Sequence, residues 1–330
     1  MDISLPARFD RDDLAPFFAE LDATRNEPSV TIDFSPLTYS FPTAMLVAGS
    51  KLRDWVNYRY MNGYQSIRKG IDPSRRVHSY LMHLGFFDFI YMDDEGKQVG
   101  QAQGSTKYLP ITRLNVAPFN PASTTREAWY EVIREESRRL AGVLAGSYDD
   151  TEELRVYSYS IREVIRNVFE HSQAQECYIC GQRWWNGTVE IAILDEGVGI
   201  ARTISEAHLV NDDLHALQLA LMPGVSRTNS ISENENVFGN SGFGLYILSN
   251  LAASFGWFVL GSGNARVIGY NNTERLNERF SFSGTFFGIH LKHSPHNFRS
   301  VLEDIIAAGE AESGINGIHR RASGMSRIAD

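Results

Sequence analysis

Apolar and polar positions alternate along the chain in two rhythms, and their order predicts a smaller strand–helix unit followed by a larger one. Asp10 to Phe18 suits the start of a short helix, and Val30, Ile32 and Phe34 then alternate with polar neighbours as a strand does. Ala44, Val47, Leu52 and Val56 form a helical inner face over 43–58, with Pro42 in the first turn. A short strand near 64–67 follows, then a helix over 76–84 that Gly85 ends as a left-handed cap. Residues 92–124 are rich in turn formers, among them Gly96, Gly100, Gly104, Pro110, Pro118 and Pro121, and predict a linker with an added strand over 108–114. Thr124 and Thr125 open the next helix, marked by Trp129, Val132, Ile133, Leu140, Val143 and Leu144.

The densest pattern lies between residues 161 and 200. Ile161, Val164, Ile165 and Val168 fall at i, i+3, i+4 and i+7, one apolar face of a helix. Glu163, Asn167 and Glu170 run along another face, so a carboxylate and a carboxamide stand one helical turn apart. Trp184-Trp185-Asn186-Gly187 carries the Asn-Gly signature of a type I′ hairpin turn. Val189, Ile191 and Ile193 alternate with Glu190 and Ala192 in a strand that ends in Asp195-Glu196-Gly197-Val198-Gly199-Ile200, where two glycines permit a tight turn and close approach of a ligand. A polar stretch over 201–238, with a helix over 214–222, leads to Gly239-Asn240-Ser241-Gly242-Phe243-Gly244-Leu245. The helix after it is set by Leu245, Leu248, Leu251 and Ala252. Glycines at a helix start bare backbone N–H groups, and the helix dipole favours an anion there. Strands over 257–260, 266–270 and 283–292 complete the unit. A helix over 297–308 and a polar tail follow, with 310–330 expected to be poorly ordered or partner-bound.

Composition narrows the field. Of 330 residues, 43% are hydrophobic and 22% charged, ordinary for a globular protein with a sizeable core. A net charge of −9 argues against a general electrostatic hold on nucleic acid. No apolar run of roughly 18 residues occurs, and Met1-Asp2-Ile3-Ser4 lacks the features of a signal peptide, so no membrane span and a cytoplasmic location are expected. Cys177 and Cys180 form a CxxC, but a strand would point the two thiols to opposite faces, which favours structural cysteines over a metal or redox pair.

Taken together, the pieces resemble the GHKL ATPase superfamily over roughly residues 125–292. Glu163-x-x-x-Asn167 looks like the family's N box, Asp195-x-Gly197-x-Gly199 like its G1 box, Gly239 to Gly244 like its G2 box, and Gly284-Thr285 like its closing strand. The resemblance implies an α/β (α+β) fold, a two-layer α/β sandwich with a mixed, mainly antiparallel sheet. It also implies ATP and Mg²⁺ as ligands. By the same resemblance Glu163 is the general base, and Asn167 offers a carbonyl oxygen to Mg²⁺. Asp195 accepts from the adenine amine, helped by Thr285 through a water. Gly197, Gly199 and Ile200 shape the base pocket. Ser241, Gly242, Phe243, Gly244 and Leu245 form the turn whose backbone N–H groups meet the phosphates. The family places a mobile lid over 201–238, from which Arg227 is a candidate phosphate contact. His171, at the end of the N-box helix, reads as a cap or packing residue rather than a catalytic one.

Residues 25–95 resemble a STAS-like domain, although the phosphoacceptor motif of that family is missing. The matching stretch reads Ser40-Phe41-Pro42-Thr43. The expected organisation is a STAS-like partner or sensing domain at 1–95, a linker at 96–124, the GHKL domain at 125–292, and a helix and tail at 293–330. A protein partner is expected through the first domain. The helix after Thr125 also leaves a homodimer open, since a helix at that place supports dimers in some relatives; burial in the core accounts for it as well. Three activities remain: a slow Mg²⁺-dependent ATPase whose lid closure drives a protein–protein switch, an anti-sigma-type serine/threonine kinase acting on a STAS partner, and a non-catalytic nucleotide sensor. Only about 38 residues follow Lys292. A transducer lysine of the gyrase kind is therefore not expected within this chain, which is why the leading activity is slow.

Overall fold

The computed structural model describes residues 1–92, 96–102, 104–105, 107–115, 124–174, 176–226, 241–271, 274–292, 297–316 and 321–322. The chain opens with β1 (Asp2–Ser4), β2 (Arg8–Phe9), α1 (Leu14–Ala23), β3 (Ser29–Asp33), β4 (Tyr39–Ser40), α2 (Pro42–Met61), β5 (Gln65–Lys69), α3 (Arg76–Leu84) and α4 (Phe86–Phe89). β1, β3 and β5 pair in parallel in the order β1-β3-β5, and β2 pairs in parallel with β4. Gly85 ends α3 at φ 82°, the left-handed cap that its position predicts.

The larger part comprises β6 (Tyr108–Leu114), α5 (Arg126–Ala145), α6 (Glu152–His171), β7 (Cys177–Arg183), β8 (Val189–Asp195), α7 (Ile200–Ile204), α8 (Asp213–Ala220), α9 (Gly244–Phe255), β9 (Gly256–Tyr270), β10 (Glu274–Leu291) and α10 (Phe298–Ile315). Its five strands form one antiparallel sheet in the order β6-β7-β8-β10-β9. The chain is thus mixed α and β, with the parallel pairings confined to the N-terminal sheets. Thr151 caps α6 by accepting from the Leu154 amide, and Glu152 and Glu153 lie in its first turn, where the helix dipole favours acids.

Helices cover both faces of the sheet. Val189, Ile191 and Ile193 of β8 pack with Ile165, Val168 and Leu248 on one face. Ala192 and Leu194 pack with Ala44, Val47 and Phe89 on the other, so α2 and α4 add a layer behind the helix-and-sheet pair expected for this region. The two cysteines separate accordingly, Cys177 into the first cluster and Cys180 into the second, both as free thiols. Glu190 is the surprise of this strand. Its alternation with apolar residues suggests a solvent face, yet it is 1% exposed beneath α2 and accepts from the Thr43 amide at 2.9 Å.

Several elements differ from the expected ones for local reasons. The β7–β8 turn is not type I′, because φ is positive only at Gly187 and not at Asn186. The Gly187 amide donates to the Trp184 carbonyl, and the Asn186 side chain accepts from the amide and hydroxyl of Thr188, which ties it down outside the left-handed region. The strands expected at 257–260 and 266–270 are one continuous β9, and β10 begins well before 283. Two glycines of β9 make room for rings: a Cβ on Gly261 would lie 2.2 Å from the Phe286 ring opposite it, and one on Gly269 2.1 Å from the Phe258 ring. Irregularities in the pairing between Arg279 and Thr285 let the long ribbon bend. α10 continues to Ile315, so the first residues of the tail are helical. Among the described residues no helix is long and apolar enough to cross a membrane.

Candidate functional site

A cleft lies between the C-terminal end of β8, α6 and the start of α9. Its two ends share Asn167, His171, Thr203, Ile204, Ala220 and Leu245. One end is apolar, walled by Val164, Ile193, Ile200, Leu260 and Phe287, with Asp195 among them. The other is polar and holds Glu163, Arg166, Asn167, Ser241, Gly242 and Gly244. Fragments from Glu163 to Phe287, far apart along the chain, therefore meet in one place.

At the apolar end, Asp195 closes β8, is 3% exposed, and accepts the Gly197 amide at 2.8 Å. Burial raises its carboxyl to about 7, with the Gly197 hydrogen bond pulling the other way. Gly197 admits no side chain, since a Cβ would lie 2.2 Å from the Ser172 carbonyl oxygen at the end of α6. Gly199 takes φ 80°. The turn is fastened by Ser262, whose Oγ accepts from the Ile200 amide at 2.9 Å and donates to the Gly284 carbonyl at 2.7 Å. Thr285 is the register partner of Asp195, and its Oγ1 lies 3.4 Å from Ser262 Oγ. Ser262 carries no signal in the sequence; it emerges only from the β9–β10 register.

At the polar end, α9 starts at Gly244 with Phe243 as its N-cap, which offers no side-chain hydrogen bond to the first-turn amides. The N–H groups of a helix's first turn have no intrahelical partner and point along its axis. The Phe243 side chain itself is buried in the core against Tyr246, so only its backbone belongs to the cleft. Gly242, at φ 76°, fits against Gly224 and Val225, where a Cβ would lie 2.6 Å from the backbone. The sequence-predicted Gly239 and Asn240, and Arg227 of the expected lid, lie outside the described residues.

Glu163 and Asn167 face this end together. A Cβ on Gly244 would stand 2.6 Å from Glu163 Oε2 and 3.9 Å from Asn167 Nδ2. Glu163 is 2% exposed and lies near two guanidinium groups, Arg166 Nη1 at 3.3 Å and Arg162 Nε at 3.6 Å. Glu170, placed by spacing on the same helical face, turns away from the cleft. It is buried, accepts from Arg166 Nε at 3.1 Å, and accepts from the Tyr130 hydroxyl of α5 at 2.9 Å. Arg166 was hidden in the sequence as an ordinary charged helix position. Its place three residues after one carboxylate and four before another is the spacing that bridges them.

Asn167 Nδ2 is buried without a hydrogen-bond partner. Amide nitrogen and oxygen positions are interchangeable assignments, so the same side chain can equally turn a carbonyl oxygen to a hard cation. One neutral oxygen donor fits Mg²⁺, which keeps most of its ligands as water and phosphate oxygen. Among the described residues no three His, Cys, Asp or Glu side chains converge as a metal site. Scans of the sequence against protein-family models and against curated proteins find no match.

Proposed function

We propose that the cleft binds an adenine nucleotide with Mg²⁺ and that the protein hydrolyses ATP slowly, as its resemblance to GHKL ATPases implies. The observation that carries this reading is the convergence of Asp195, the Glu163–Asn167 pair and the start of α9 on one cleft with an apolar end and a polar end. Asp195 suits adenine, because its carboxylate can accept from an exocyclic amine and rejects the carbonyl that guanine presents at that position. The apolar walls take the flat faces of the base. The first amides of α9 take phosphate oxygens, and a magnesium ion held by Asn167 would offset phosphate charge.

Glu163 is the group that can take a proton. Water attacks the γ-phosphorus, a P–O bond forms, the bond to the bridging oxygen breaks, and ADP leaves. The proton of the attacking water passes to the Glu163 carboxylate. A non-catalytic sensor is the second reading, favoured by the ion pairs that hold Glu163 in place. The STAS-like resemblance makes the N-terminal part the partner-facing one. Two hydrogen bonds support coupling to the cleft, since α2 grips β8 through Thr43 on Glu190 and the turn after it through Ser50 on Glu196.

γ-Labelled ATP separates these readings. Free labelled phosphate that disappears in Glu163→Ala supports hydrolysis. Nucleotide bound but unchanged in both forms supports the sensor, and label transferred to protein supports a kinase. Asp195→Asn is expected to abolish binding; unchanged affinity rejects the cleft as an adenine site.

A further inference from the structure

We infer that Arg166 reads the terminal phosphate of a nucleoside triphosphate, and that its ion pair with Glu163 masks the base until a triphosphate draws the guanidinium away. The inference rests on the nucleotide reading above and deepens it. Arg166 is the only lysine or arginine among the described residues lining the polar end of the cleft. It belongs to α6 itself, one turn from the Glu163 carboxylate.

The two ends of the guanidinium are held unequally. Nε donates to Glu170 at 3.1 Å, and Glu170 is fixed in turn by the Tyr130 hydroxyl at 2.9 Å. The Tyr130 ring also lies 5.1 Å from the guanidinium carbon. Nη1 reaches the two Glu163 oxygens at 3.3 and 3.4 Å, long for charge-assisted bonds, which close to about 2.7–2.9 Å. The Nε side is an anchor and the Nη side is slack. The side chain is 6% exposed.

Electrostatics gives the slack end a task. A terminal phosphate entering beside Glu163, itself 2% exposed, brings like charges together where solvent screening is weak and repulsion is strong. A guanidinium between them relieves that repulsion and can bond phosphate oxygens bidentately. As it does so it loosens its hold on Glu163, which keeps Arg162 and the start of α9 as supports. A diphosphate lacks the group that competes for Arg166, so the pair stays closed and the base stays masked.

The test is calorimetric binding of Mg·ADP and of the non-hydrolysable β,γ-imido analogue of ATP to the full chain. The unaltered protein is expected to prefer the triphosphate. Arg166→Gln should reduce that preference about tenfold or more, the scale of one charge-assisted hydrogen bond, with ADP affinity nearly unchanged. Arg166→Lys should recover part of it. Glu163→Gln should increase the preference, because nothing then competes for the guanidinium. A preference unchanged in Arg166→Gln overturns the inference while leaving the nucleotide site intact, as does a Glu163→Gln variant no more selective than the parent. Should Arg166→Gln fail to fold, the Lys and Glu163 variants still decide. If the unaltered chain binds neither nucleotide, the underlying reading fails, and the inference with it.

Discussion

Asp195 governs when the apolar end of the cleft can accept a hydrogen bond. Its carboxyl is raised by burial to about 7 from an ordinary 3.8. Between those values the folded chain holds a proton that the unfolded chain has lost, so this group's contribution to stability falls as pH rises through the window. Nucleotide affinity should run the other way, because an amine donor requires the anion. Below pH 7 it is expected to weaken by about tenfold per pH unit, and calorimetry across about pH 5.5 to 8.5 checks this. A flat profile rejects Asp195 as the acceptor. Gly244 makes a second prediction at this scale. A methyl group there would lie 2.6 Å from Glu163 Oε2, so Gly244→Ala must displace the carboxylate. The variant should lose turnover and weaken triphosphate binding at a stability cost of about 1–3 kcal/mol, measured by denaturant unfolding. Glycines and acids of this kind are legible in a sequence because backbone rules and local spacing constrain them. Ser262 is not, since its role depends on a strand register fixed by packing far along the chain.

Among elements, α6 shows what spacing can and cannot reveal. The helix is readable from its apolar face, and the Glu163–Asn167 pair from its four-residue step. That Glu170 leaves the cleft is not readable, because it depends on α5 bringing Tyr130 across from a separate helix. Burial pushes the Glu170 carboxyl up, while Arg166 and the Tyr130 hydroxyl draw it back. Tyr130→Phe removes a donor from this buried acceptor. It is expected to cost about 1–2 kcal/mol in urea unfolding, and to weaken triphosphate binding more than ADP binding because the Arg166 anchor loosens. Equal weakening of both would mean the hydroxyl serves the fold alone. β9 teaches the opposite lesson. Gly261 and Gly269 accept the rings of Phe286 and Phe258, a use of glycine that only the packed sheet reveals.

At the scale of the molecule, the N-terminal part and the long sheet share one hydrophobic core. Tyr178, Cys180, Leu194, Val259, Phe280 and Phe286 of the sheet meet Phe18, Ala44, Val47 and Phe89 of the helices before it. The contact is close enough that a Cβ on Gly288 would lie 2.7 Å from the Thr43 side chain. Polar groups follow the same seam: Glu190 is buried under the start of α2, Arg266 donates to the Arg11 carbonyl at 2.5 Å, and Arg11 stacks over Trp257 at 4.1 Å. Sequence alone cannot reveal this, because the apolar face of α2 reads equally well as the core of a separate small domain. The physical consequence concerns cooperativity. Removing residues 1–96 would expose the aromatic back face of the sheet and leave the Glu190 carboxylate without its amide donor, two mechanisms that each destabilise strongly. The full chain should therefore unfold in urea as one transition, with tryptophan fluorescence and far-ultraviolet circular dichroism coinciding. A fragment of residues 97–330 should be poorly soluble, bind hydrophobic dye and lack a cooperative transition. A soluble fragment with the parent's nucleotide affinity would mean that the back layer serves partner binding rather than the integrity of the cleft.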